Sequence, residues 1–275
     1  MPFTFYDDFL WQQRSDTMAE AISVGAPAPR IRRIELDRPW TWLAAGWRDL
    51  TRAPSVSLAY GVLFALVGWA ITFGLWRVGA IYLILPLTAG FLIMGPLLAV
   101  GLYEVSRRHE RGETATLEDA LAAFRANPSQ IAFIGVTLLL LFLAWIRVAV
   151  MIFYLFFGLA PPSPADFVGR VFFSTDSLPF LIFGTAVGAI LAALAFCLSA
   201  ISIPLLLDRP QAHVVTAITA SFKAVFENPV TMAFWAVLIV LFVGAGLITF
   251  YVGLIVTLPL IGHASWHAYR DLVEY

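Results

Sequence analysis

The chain has 275 residues, 60% of them hydrophobic and only 13% charged, with a formal net charge of -1 and a mean hydropathy of +0.85. Soluble domains average about 45–50% apolar and about 25% charged residues, so this composition excludes an ordinary water-soluble enzyme, a nucleic-acid binder and a disordered regulator. A single cysteine, Cys197, excludes a disulfide framework and a cysteine-based zinc or iron–sulfur site.

Residues 1–30 carry Asp7, Asp8, Asp16 and Glu20 without a long apolar core. They predict a flexible cytoplasmic tail with no cleavable signal peptide. From residue 31 to 272 the chain reads as one six-helix membrane domain. No charge falls between Arg52 and Arg77, Arg77 and Glu104, Arg125 and Arg147, Arg147 and Asp166, or Asp176 and Asp208. The uncharged run from Glu227 to Arg270 would be about 64 Å long as a helix, enough for two crossings of an apolar layer of about 30 Å. Spans are therefore predicted near 55–76, 79–103, 130–157, 178–206, 229–247 and 249–269. Helices are the form these runs take, because an open sheet cannot satisfy its backbone in lipid and the alternation of a membrane barrel is absent.

The odd-numbered spans open on Pro54, Pro128 and Pro229, in the contexts Ala53-Pro54-Ser55, Asn127-Pro128-Ser129 and Asn228-Pro229-Val230. Proline at the first turn of a helix loses no hydrogen bond, and the preceding Asn127 and Asn228 are predicted N-caps. Each proline follows an amphipathic stretch: Trp40 to Leu50, Leu117 to Phe124 and Val215 to Phe226. These stretches are predicted to lie in the cytoplasmic interface. The even-numbered spans carry Pro96-Leu97-Leu98, Pro204-Leu205-Leu206 and Pro259-Leu260-Ile261 near their cytoplasmic ends. The fold expected is thus an all-α polytopic membrane protein, with three helical hairpins of parallel orientation, each preceded by an interfacial helix. A proline deep in a span also frees a backbone carbonyl, which can line a cavity or simply pack. Fourteen of the 17 Lys and Arg residues fall on the side of the two termini, leaving Arg77, Arg147 and Arg170. Both termini are expected in the cytoplasm.

Few residues carry chemistry. His263 and His267 are four apart and share a helical face, a spacing that can hold a metal or anchor a helix at the interface beside Trp266, Tyr269 and Arg270. Anchoring is the expected role. Arg147 is the basic residue inside a long apolar run, a functional suspect by its depth. It lies about 28 Å along the helix from Pro128, where it can snorkel to the outer interface, with Asp166, Arg170 and Asp176 as candidate partners. Glu104, one turn before Arg107 and Arg108, predicts a helix-end ion pair; Asp208, Arg209 and Arg270 complete the polar candidates. Gly184 and Gly188, continued by Ala192, form a small-residue packing face, internal or between subunits. No phosphate loop, nucleophile elbow or carboxylate pair at useful spacing is present, so neither a catalytic residue nor a cofactor is expected.

The stretch Ser202-Ile203-Pro204-Leu205-Leu206-Leu207-Asp208-Arg209, the ending Gly262 to Leu272, the segment Ile34 to Trp42 and the step Trp145-Ile146-Arg147 resemble a bacterial family of uncharacterised integral membrane proteins, a domain of unknown function. The resemblance extends over about residues 31–272 and implies a bacterial inner-membrane location. Relatives have carried cytochrome-oxidase labels, but an oxidase catalytic subunit needs many intramembrane histidines and this chain has 4. Three functions remain. The favoured one is a non-enzymatic accessory, scaffold or assembly factor, in the bilayer with a membrane-complex partner or as a homo-oligomer. The alternative is a small transporter or channel for a lipid-like or weakly charged solute. Least expected is a membrane enzyme or metalloprotein using His263 and His267.

Overall fold

A computed structural model describes residues 29–158, 162, 163 and 165–274. The expected tail lies outside the described residues up to position 28, as do positions 159–161 and 164 of the outer segment. Twelve α-helices are described: α1 (Arg38–Arg52), α2 (Pro54–Arg77), α3 (Ile84–Leu98), α4 (Val100–Glu110), α5 (Leu117–Ala122), α6 (Pro128–Phe157), α7 (Phe167–Phe172), α8 (Leu178–Ser199), α9 (Ser202–Asp208), α10 (Val214–Glu227), α11 (Pro229–Ile248) and α12 (Leu254–Leu272). Two short strands, β1 (Arg30–Ile31) and β2 (Val273–Glu274), pair antiparallel and bring the first and last described residues together. We call that side of the molecule the near end.

Pro54, Pro128 and Pro229 each sit at the start of a long helix, and the residues before them share one backbone bend. Their φ and ψ are -126° and 62° at Ala53, -146° and 70° at Asn127, and -128° and 51° at Asn228. The proline ring denies the preceding residue a helical conformation, so the chain turns at each of the three points. Asn127 and Asn228 do not cap with their side chains as expected. Both are buried, and their amides bind distant loop backbone instead. Asn127 Nδ2 donates to the Ala212 carbonyl at 3.1 Å, and Asn228 Oδ1 accepts from the Ile34 amide at 2.9 Å.

The helices are those of an integral membrane protein. Five segments are long and apolar enough to cross a membrane: Pro54–Arg77, Ile81–Glu110, Pro128–Phe157, Thr175–Asp208 and Pro229–Ile248. In their most apolar windows only 22–50% of residues are buried inside the protein, which suits helices solvated by lipid. The sixth expected span is not among them. Residues 249–253 form a turn rather than helix, with Phe250 and Tyr251 at φ of 52° and 68°, and the last third of α12 carries His267, Arg270 and Asp271. That tip is fixed to α2, where Trp69 Nε1 donates to the Phe250 carbonyl at 2.6 Å and Tyr251 pairs with Thr72 at 2.7 Å.

The largest fully buried side chains, among them Trp42, Leu102, Ile203, Leu206, Trp235, Trp266 and Tyr269, gather toward the near end. Two helices approach α12 closely enough to demand glycine. A Cβ on Gly46 would stand 2.7 Å from the Ala264 amide nitrogen, and one on Gly61 would meet the Ile255 backbone. α12 is thereby held close by α2 at its far start and by α1 over its near half.

Candidate functional site

Two sites emerge on opposite faces of α12, one polar and one apolar. The polar one starts from Asp49, which lies with Trp42 and Gly46 on the buried face of α1. Its Oδ1 meets His109 Nδ1 at 3.1 Å, and its Oδ2 meets His267 Nε2 at 2.7 Å. Burial pushes the Asp49 carboxyl up, but hydrogen bonds from His267 and Ser106 and the neighbouring imidazoles offset this and hold it down at about 2. His263 is fully buried behind this group, with Nε2 2.9 Å from Ser57 Oγ and Nδ1 2.8 Å from Ser106 Oγ. The interfacial-anchor role expected for the pair therefore fails for His263, which faces hydroxyls of α2 and α4 in the interior; His267 is the outer member.

A second layer completes the clasp. Arg270 reaches Glu110 at 3.1 Å and Asp208 at 3.5 Å, while the Tyr269 hydroxyl donates to Asp208 at 2.8 Å. Arg209 lies 3.7 Å from the same carboxylate. Arg38 donates twice to Asp271, both at 2.7 Å, and Trp42 Nε1 donates to it at 2.9 Å. Buried Glu104 accepts from Arg107 at 2.7 and 2.9 Å and from Arg108 at 3.0 Å. Each of these carboxylates is matched by donors, so this constellation fastens α1, α2, α4, α9 and α12 to one another. Among the described residues no group of three or more His, Cys, Asp and Glu side chains is disposed to hold a metal. Sequence reasoning missed Asp49, Ser57 and Ser106. The available signal was Asp49 itself, an acid seven residues after Trp42 on the apolar stripe of an amphipathic helix.

The apolar site is a crevice between α3, α6, α8, α11 and α12. Its near chamber, of about 340 Å³, is walled by Phe91, Gly95, Ala193, Phe196, Val240 and Ile261. Its far chamber, of about 400 Å³, is walled by Tyr82, Pro86, Trp145, Phe180, Gly184 and Gly188. Leu92, Ala189, Ala192 and Val240 line both, so the chambers adjoin. Pro96 has no N–H to offer the Leu92 carbonyl, and Leu92 stands at the junction. No charged side chain lines either chamber. The expected Gly184/Gly188 packing face divides between two uses: a Cβ on Gly188 would touch the Trp145 ring at 3.0 Å, whereas nothing lies within 4 Å of one on Gly184.

Arg147 is separate from both sites. It is exposed on the outer face of α6 in a stripe with Leu140, Leu143, Met151 and Leu155. It has no ion-pair or hydrogen-bond partner among the described residues. The structure does not bring Asp166, Arg170 or Asp176 to it; Asp166 instead accepts from Ser163 at 2.8 Å.

Residues 84–208 match the family model described as "Predicted integral membrane protein (DUF2189)". The match is narrower than the resemblance read over 31–272, and runs from the start of α3 to the end of α9. It takes in Glu104, Arg147 and Asp208 and the α3 and α8 walls of the crevice. No curated protein and no solved structure matches the chain.

Proposed function

We propose that this integral membrane protein acts without catalysis, by holding a lipid-like, uncharged molecule between its helices as a small carrier within the bilayer. The observation that carries this reading is the crevice. Each chamber has the volume of a ligand site, about 300–1,000 Å³, and the lining is almost wholly apolar. From Tyr82 to Tyr103 it follows about 30 Å of helix, close to the thickness of a bilayer core. α11 packs on α12 and, near its own start, on α1 and α10, so the wall it forms against α3 and α8 is open to lipid along its length. Native mass spectrometry of protein released from nanodiscs of phosphatidylethanolamine and phosphatidylglycerol tests the reading. With hexadecanol added to those nanodiscs, the wild type should retain one molecule of the alcohol under conditions that strip the phospholipids. Ala192→Phe, which fills the junction of the chambers, should not. Equal retention by both overturns the proposal.

The topology we infer has six crossings with both termini in the cytoplasm of a bacterial inner membrane, built as three parallel hairpins. The pairing of β1 with β2 supports an even number of crossings. Ser57 facing His263 and Thr72 facing Tyr251 make α12 antiparallel to α2 over most of its length. The stripes of α1 support an interfacial position: Trp40 and Trp47 are about half exposed on one flank, and Thr41, Arg48 and Arg52 are exposed on the next. The accessory or scaffold reading is favoured by a different feature, the unpaired Arg147 on an apolar helix face, which suits a carboxylate from a partner helix. Its test is co-purification in mild detergent: a partner lost on Arg147→Leu supports it, and recovery only as a free monomer overturns it.

A further inference from the structure

The crevice is apolar along its walls but not at its near end. Tyr103 lines it there, is 3% exposed, and has no hydrogen-bond partner for its hydroxyl among the described residues. The contrast with its neighbour is informative, because the Tyr60 hydroxyl is tied to the Leu98 carbonyl at 2.8 Å. Buried hydroxyls are nearly always paired, so one left free against an open cavity marks the place of a ligand atom. Two further hydroxyls share that end. Ser199 donates to the Ala195 carbonyl at 2.6 Å and Ser265 to the Ile261 carbonyl at 2.8 Å, leaving each with lone pairs that can accept but no proton to give.

We propose that the crevice takes a single-chain lipid whose head is one uncharged oxygen function, a hydroxyl or a carbonyl, bound by the Tyr103 hydroxyl with its chain running toward Trp145. The proposal rests on the carrier reading above and gives it a ligand class. A charged head is disfavoured by the lining, which offers no ion to pair with it and would leave it desolvated. A hydrocarbon without a head would leave the Tyr103 hydroxyl unpaired. A hydroxyl head satisfies the whole end, accepting from Tyr103 and donating to Ser199 or Ser265; a carbonyl head satisfies Tyr103 alone.

Three photoactivatable probes of equal chain length decide the matter on the full chain in nanodiscs: a diazirine-bearing hexadecanol, a hexadecyl sulfate and a hexadecane. Cross-linked peptides are read by mass spectrometry. The alcohol should label Phe91–Ala99 and Ala189–Phe196 about three- to tenfold more than either other probe, the worth of one neutral hydrogen bond. Tyr103→Phe should bring the alcohol down to the level of hexadecane without changing the yield of the other two. Equal labelling by all three probes, or an alcohol yield indifferent to Tyr103→Phe, overturns the head-group assignment while crevice labelling itself leaves the carrier reading standing. Absence of crevice labelling by every probe overturns both.

Discussion

Replacing Asp49 with asparagine keeps the shape of the side chain and removes its charge, so it isolates what the carboxylate does in the clasp. In the folded protein this group is held at about 2 against an ordinary 3.8, and its side chain is 11% exposed. At about 1.4 kcal/mol for each tenfold change in proton affinity, the ionised form is favoured by about 2 kcal/mol. The direction with pH follows from which state holds more protons. Between about pH 2 and 4 the unfolded carboxyl is protonated more than the folded one, so stability rises with pH across that window. The contribution is complete above about pH 4 and lost as pH falls toward 2. Asp49→Asn should therefore lower the apparent Tm by about 4–8 °C at neutral pH, taking about 2–4 °C per kcal/mol for a chain of this size. Tryptophan fluorescence at one fixed scan rate in detergent reads it, since unfolding of such a protein is commonly irreversible. The gap between wild type and variant should close on acidification to about pH 2. An Asp49→Asn protein within about a degree of wild type at neutral pH refutes the reasoning, as does a gap that persists in acid.

Three other outcomes are expected. Gly61→Ala should destabilise by about 1–3 kcal/mol, because its Cβ meets rigid backbone at Ile255, while Gly184→Ala, with nothing near, should leave the apparent Tm unchanged. In a Cys197→Ser background, Ser163→Cys should react with an impermeant maleimide added to intact cells, and Arg33→Cys and Glu274→Cys should react only after lysis. Gly246→Leu should destabilise by about 1–3 kcal/mol, read as a lower apparent Tm, because the added side chain would collide with Thr257 and with the Leu254 backbone beside the tip at 249–253.

Element existence was legible in the sequence because it is local. Charge-free runs fixed α2, α6, α8 and α11, and the prolines fixed where they begin, since a ring without an N–H acts on its immediate neighbours. Partners were not legible, because they are distant in the chain. Asn127 and Asn228 look like caps in a five-residue window, yet their amides bind Ala212 and Ile34, far along the sequence. His263 and His267 look like one motif at a spacing of four, but a difference of about 40° around the helix sends one to buried hydroxyls and the other to a carboxylate at the rim. The sixth span shows the same limit: hydropathy from 249 to 269 suggests a uniform helix, and only the contacts of Phe250 and Tyr251 with α2 explain why its first turn is lost.

The two faces of α12 bear on how a carrier of this build would work. His263, His267 and Arg270 lock one face to α1, α2, α4 and α9 through matched charges and hydroxyls, and Gly46 and Gly61 leave no slack beneath them. Ile261, Gly262 and Ser265 on the other face form a crevice wall held in place by that lock. A wall so fixed cannot be the moving part. Among the described residues α11 has no comparable polar ties across the crevice, and Ala236, Val237 and Val240 face α3 and α8 across its apolar space. Apolar contacts in lipid exchange for lipid contacts at little cost, since hydrocarbon chains are as apolar as the side chains they replace. If the protein is the carrier proposed above, opening falls to α11, sideways into the bilayer, and the acid in the clasp sets stability without setting access.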